Sequence, residues 1–208
     1  MSFSVLYSAI PPNSTLYSRL QHEKALSILM VSLFPYGCGI FRFFEIELEE
    51  INEILEDVIA LHRGTFGSQL EASQAIAEFR SELQRTRRAY QGIEDRTTSL
   101  EKSSVEIEKR LLSELSKRQI VNADGIVQKL MYGDRTFVPN LLSQEESLGL
   151  ISRKLVSEGA SILRRINPEM LFARDEGWEG WCLEDLERWR GLYLAADEQN
   201  EEILVGIA

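Results

Sequence analysis

The residues best suited to chemistry are concentrated in residues 33–50, LFPYGCGIFRFFEIELEE. Cys38 lies between Gly37 and Gly39, among Phe34, Tyr36, Phe41, Phe43 and Phe44, and a run of carboxylates follows. A nucleophilic cysteine needs its pKa lowered by a cation, a histidine or a helix N-terminus. Arg42 is the cation nearest Cys38 in sequence, and no histidine is local. The two glycines have a simpler role: they let the chain turn after a helix that Pro35 cannot continue. The rings are large apolar groups suited to a core. The stretch reads as a buried corner. The alternative is a small-ligand pocket beneath that corner, lined by Cys38, Phe41 and Phe43, because pockets are concave and largely apolar.

The carboxylate run is Glu45, Glu47, Glu49, Glu50, Glu53, Glu56 and Asp57, with Glu49, Glu53 and Glu56 on one helical face. A di-iron centre would pair Glu-x-x-His motifs on facing helices. His62 follows Glu56 by six residues, which puts it on the wrong face. Carboxylates alone could hold Mg²⁺ or Ca²⁺ weakly, but a solvated helix face is the simpler reading, and no metal or cofactor is expected. His22 and His62 fall in no catalytic frame. No glycine-rich phosphate loop is present. Arg80, Arg85, Arg87 and Arg88 are interleaved with Glu78 and Glu82 and read as a paired helix surface. Trp178 and Trp181, in the segment GWEGW, are the better interaction signal, because tryptophan is enriched at interface hot spots. The expected binding residues are therefore Cys38, Phe41, Phe43, Trp178 and Trp181, with no catalytic residue assigned.

Composition bounds the class. The chain has 208 residues, 44% hydrophobic and 27% charged, as in ordinary globular proteins. Its net charge of -10 opposes long-range attraction to phosphate backbones, so no nucleic-acid partner is expected. The start, MSFSVLYSAIPPN, lacks the basic region of a signal peptide. The most apolar stretch, Ala25 to Phe34, is too short to span a bilayer. Cys38 and Cys182 read as free thiols. A cytoplasmic location with no membrane partner is the expectation.

The elements that must position these residues are mostly helices. Residues 2–10 read as a strand ended by Pro11 and Pro12, and EEILVGIA at the other end as a second strand. Because a lone strand leaves its backbone groups unpaired, the two termini should pair in one small sheet. Helices are expected over about 15–33 and 48–62. Two long amphipathic helices over about 68–118 should form an antiparallel hairpin, with Leu100, Ile107, Leu111, Leu112 and Leu115 inward on the second. Asn122 should cap a helix ending at Tyr132, stopped by Gly133, with DRTFVPN a loop. Ser143 to Glu146 forms a capping box, which should open a helix carrying Leu148, Ile151 and Leu155, broken or bent at Gly159. Asn167-Pro168 should start a short turn. A last helix is expected over about 182–199, with Leu183, Leu186, Trp189, Tyr193 and Ala196 inward. The fold class is thus α+β and predominantly helical: one domain over 1–208 with a hairpin excursion.

The order of these terminal elements carries a resemblance. SVLYSAIPPNSTLYSRL at the start, then LLSQEESLGLISRKL, ILRRINPEML and LERWRGLYLAADEQNEEILVGIA, resemble the YfbM-like family of bacterial proteins of unknown function over about residues 1–30 and 120–208. That family's signature is an Asp/Trp/His-containing helix ending in glycine. Here IVNADGIVQKLMYG keeps Gly133 but has neither Trp nor His. The resemblance implies a fold and transfers no site residue.

With no catalytic constellation and long amphipathic helices, the sequence leans to a non-enzymatic binding or regulatory protein working through protein–protein contacts. An enzyme or small-ligand protein using the aromatic corner is the alternative. A toxin-neutralising partner is a second one, since an acidic protein suits a basic target. A homodimer through the hairpin is also expected, with Ile76, Leu100 or Ile107 left for a second copy.

Overall fold

A computed structural model of the chain describes residues 5–10, 97–100, 102–138 and 147–207, together with helical positions 56, 60, 73, 74, 76–78, 80 and 81. The chain divides into two compact units. One comprises 1–12, 95–136 and 149–207, the other chiefly 13–94 and 137–148. The described part of the second unit is helical at the scattered positions just given and strand at 137, 138, 147 and 148.

The first unit is α+β and mostly helical. Strand β1 (Val5–Ile10) and the C-terminal strand β5 (Glu202–Ile207) pair antiparallel over their whole length, Tyr7 opposite Val205 and Ala9 opposite Ile203. The pairing of the chain ends expected from the sequence is therefore present. On its other edge β1 pairs antiparallel with β2 (Thr97–Leu100), and Val5 faces Leu100. With β3 (Arg135–Val138) and β4 (Ser147–Ile151), the sheet order is β2-β1-β5-β4-β3. Directly opposed residues point to one side. Val5, Tyr7, Ala9, Leu100, Ile203 and Val205 accordingly meet the helical core together.

The helices of this unit are α1 (Ser103–Lys117), α2 (Ala123–Tyr132), α3 (Arg153–Arg164) and α4 (Trp178–Glu198), with a 3-10 turn over Pro168–Met170. In the turn the Asn167 side chain accepts from the Glu169 amide, as its Asn-Pro start suggested. The inward face of α4 is the expected one: Leu183, Leu186, Trp189, Tyr193 and Ala196 are all buried. Trp189 stacks edge-on against both Tyr7, at 5.9 Å between ring centroids, and Tyr193, at 5.0 Å.

Several elements differ from the sequence expectation. The hairpin's second arm starts later than expected. Residues 97–100 are strand, α1 begins at Ser103, and the first arm lies largely outside the described residues. Leu100 and Ile107 are completely buried within the chain, so neither is left for a second copy; Ile76 is half-buried. DRTFVPN is not simply a loop, because Arg135–Val138 form β3. Ser147–Ile151 is strand where a helix was expected, and Ser143 to Glu146 lie outside the described residues. The segment lies between β5 and β3 in the sheet, and its backbone passes close to the end of α2: a Cβ on Gly149 would sit 2.8 Å from the Tyr132 carbonyl oxygen. Gly159 does not break α3. Its bare Cα lets the helix lie against its neighbours, since a Cβ there would meet Leu130 Cδ2 at 2.5 Å and Tyr193 Cε1 at 2.8 Å.

The C-terminus of α2 is buried, and the last carbonyls of a helix have no partner within it. Tyr193 donates its hydroxyl to the Leu130 carbonyl at 2.7 Å and Tyr7 donates to the Met131 carbonyl at 3.0 Å. The Gly133 amide donates to the Lys129 carbonyl at 2.9 Å, with Gly133 at φ 91. Asp134 then accepts from the Ser152 amide at 2.7 Å and its hydroxyl at 2.6 Å, clasping the start of α3 to the end of α2.

Tyr193→Phe leaves a buried carbonyl without its donor and should destabilise the protein by about 1–3 kcal/mol. The urea midpoint measures this, and an unchanged midpoint would mean the bond contributes nothing. Deleting residues 203–208 removes the strand between β1 and β4 along with buried Ile203, Leu204 and Val205. Burial of three such side chains is worth on the order of 5–9 kcal/mol, comparable with a whole domain's net stability. The truncated chain should show no cooperative thermal transition, and a retained native melting temperature would overturn the closed-sheet arrangement.

Candidate functional site

Of the five residues singled out as binding candidates, Cys38, Phe41 and Phe43 lie outside the described residues, and so do His22, His62 and most of the carboxylate run. Glu56 is exposed, in keeping with a solvated face. Of the arginine group, Arg80 is half-buried and Arg85, Arg87 and Arg88 lie outside the described residues.

Trp178 and Trp181 are both described and form a pair. The segment GWEGW is not a loop ahead of the last helix but its first turn, with Gly177 as N-cap. Residues three apart on a helix share a face, and the two indoles meet edge to face, 5.5 Å between centroids at 85°. Each is 44% exposed, while the third tryptophan, Trp189, is fully buried. The pair lines an open concavity of about 580 Å³ together with Asp175, Glu176 and Glu184.

This turn is fixed by charge and backbone contacts. Asp175 Oδ1 accepts from the amides of Gly177 and Gly180, both at 2.9 Å, which satisfies donors that a helix start leaves unpaired. Gly180 must be glycine, because a Cβ there would lie 1.8 Å from the Asp175 carbonyl oxygen. Glu179 accepts from the Ala173 amide at 2.9 Å and from Arg110 at 3.0 Å. Arg110 also donates to Glu106 at 2.8 Å and to the Leu171 carbonyl at 3.0 Å, and its guanidinium lies 5.3 Å from the centre of the Phe172 ring. Its bond to Glu106 holds that carboxyl below the usual carboxylate range.

Two buried groups nearby belong to the scaffold. Asp185 accepts from the Ser103 hydroxyl and from Arg188 at 2.5 Å. Ser103 is itself buried with the Asp185 carboxylate as its acceptor, so it lacks the access that nucleophilic catalysis needs. Cys182 is a buried free thiol whose pKa burial pushes up to about 11, with Asp185 adding to the shift. A thiol held protonated is a poor nucleophile. Among the described residues no group of three or more His, Cys, Asp and Glu could hold a metal, and no helix is long and apolar enough to cross a membrane.

The carboxylates around the tryptophans were not singled out from the sequence. The available signal was Asp175 five residues ahead of Gly180, a cap that puts the helix start at Trp178, inside GWEGW. No family model matches the chain, and no curated protein and no solved structure matches it.

The thiol and tyrosine shifts set an alkaline limit on stability. Burial raises the pKa of Cys182 to about 11, and burial first of all raises Tyr7 and Tyr193 well above their ordinary value of 10.0. The unfolded chain therefore releases protons that the folded chain keeps, so stability is complete below about pH 9 and falls as pH rises toward 11 and beyond. Cys182→Ala should flatten the loss between pH 9 and 11 and leave the steeper loss above pH 10 from the tyrosines. Urea titrations at each pH check this. An identical slope in both proteins would show that Cys182 is not desolvated.

Proposed function

We propose that this chain is a non-enzymatic binding or regulatory protein that works through protein–protein contacts, with Trp178 and Trp181 as its anchor. The supporting observation is the exposure of two indoles in edge-to-face contact on a helical turn held by hydrogen bonds, in a chain that buries Trp189 completely. Large rigid aromatic side chains lose little conformational entropy on binding and dominate interface energetics. The buried thiol and the Ser103–Asp185 pair serve the scaffold in this reading. Membership of the YfbM-like family is part of the proposal and rests on the sequence patterns alone. It adds no activity.

A photo-crosslinking amino acid placed at position 181, in the cells that make the protein, tests the reading. A discrete adduct heavier than the chain should form at 181 and be missing when the same residue is placed at the exposed position 198. Equal labelling at both positions, or the mass of the free chain at both, would sink it.

A further inference from the structure

The surface around the tryptophan pair has a definite chemical bias. Its charged lining residues are Asp175, Glu176 and Glu184, and among the described residues no lysine or arginine lines it. Asp175 is engaged with the Gly177 and Gly180 amides and Glu179 with Arg110, so these two stabilise the helix start itself. Glu176 and Glu184 make no ion pair or hydrogen bond among the described residues. One precedes the tryptophans and the other lies one turn beyond Trp181 on the same helical face. The neighbouring cations are held elsewhere: Arg110 by Glu106 and Glu179, Arg174 by Glu169 and Glu187, and Arg188 by Asp185.

From this arrangement we infer that the concavity is a docking site for a basic protein segment, which places an arginine or lysine side chain against Trp178 and Trp181 with its charge shared between Glu176 and Glu184. The inference rests on the binding reading above and names the partner's chemistry. Indole faces attract cations through their quadrupole, most strongly for tryptophan. An arginine guanidinium can stack on one ring while its N–H groups fork onto a carboxylate. The rings accept the apolar stem of either side chain. The chain's net charge of -10 adds long-range attraction for a basic partner and repels an acidic one.

The test uses the whole chain, with the indole N–H resonances of Trp178, Trp181 and Trp189 followed by NMR. Short peptides alternating glycine with arginine, lysine, glutamine or glutamate are the probes, at low and at moderate salt. The arginine and lysine peptides should move the Trp178 and Trp181 signals and leave Trp189 in place. The glutamine and glutamate peptides should bind at least about fivefold more weakly. The double substitution Glu176→Gln with Glu184→Gln should weaken the arginine peptide about fivefold and leave the glutamine peptide unchanged. Both positions are exposed, and the unmoved Trp189 signal reports that the fold is intact. Equal affinity for the arginine and glutamine peptides would overturn the inference, and so would the absence of any shift with the arginine peptide at low salt. Shifts that follow protein concentration without peptide would also overturn it, by showing a second copy on the site. A cross-linked adduct at 181 combined with no preference for cations would remove this inference alone. The absence of an adduct removes the reading beneath it.

Discussion

The buried end of α2 is the constraint around which the first unit is arranged. A ten-residue helix that stops in the interior leaves carbonyl groups that water cannot reach. Tyr7 on the first strand and Tyr193 on the last helix answer two of them, and the Gly133 amide closes the last regular helical bond to the Lys129 carbonyl. The donors come from opposite ends of the sequence. β1 must therefore be paired in the sheet, and α4 must lie across α3, before the end of α2 can be satisfied. Gly159 permits this, because any side chain there would displace Leu130 and Tyr193, the acceptor's residue and the donor's. Trp189, wedged edge-on between the two tyrosines, holds both rings in place. The sheet pairing, the helix crossing and the aromatic cluster thus form one coupled arrangement.

What was legible in the sequence follows from what pattern can carry. The terminal strands were readable because an unpaired strand is costly and the two ends both offered β-prone segments. The inward face of α4 was readable because five apolar residues repeat at helical spacing. Gly133 was readable as a stop because a positive φ favours glycine. Three readings failed where tertiary contacts outweighed local signals. SLGLI carries no period long enough to separate strand from helix, and its place between β5 and β3 in the sheet decided it. Gly159 looked like a breaker because sequence does not show that a neighbouring helix occupies the space where a side chain would go. Leu100 and Ile107 looked available for a partner because apolar spacing gives a face and not what covers it. In the candidate site, the tryptophans were visible by type. Their carboxylate surround was not, because Glu176 and Glu184 acquire meaning only once the helix is known to begin at Trp178.

The last helix joins the scaffold to the surface. Its C-terminal half carries Trp189 and Tyr193 in the core, and its first turn presents Trp178 and Trp181 outward. Exposing two indoles gives up burial that each could otherwise contribute, so the turn that carries them must be stabilised by other means. Asp175 supplies the helix cap, and Glu179 ties the turn to Arg110 and, through it, to α1 and the Leu171 carbonyl. Those bonds consume the carboxylates nearest the helix axis and leave the outer ones, Glu176 and Glu184, unneutralised beside the rings. The two indoles already touch each other and stand on regular helix, so little side-chain freedom remains to be lost when a partner arrives. A platform built this way binds by complementarity of charge and shape already in place, and its specificity rests on which carboxylates the scaffold has left unused.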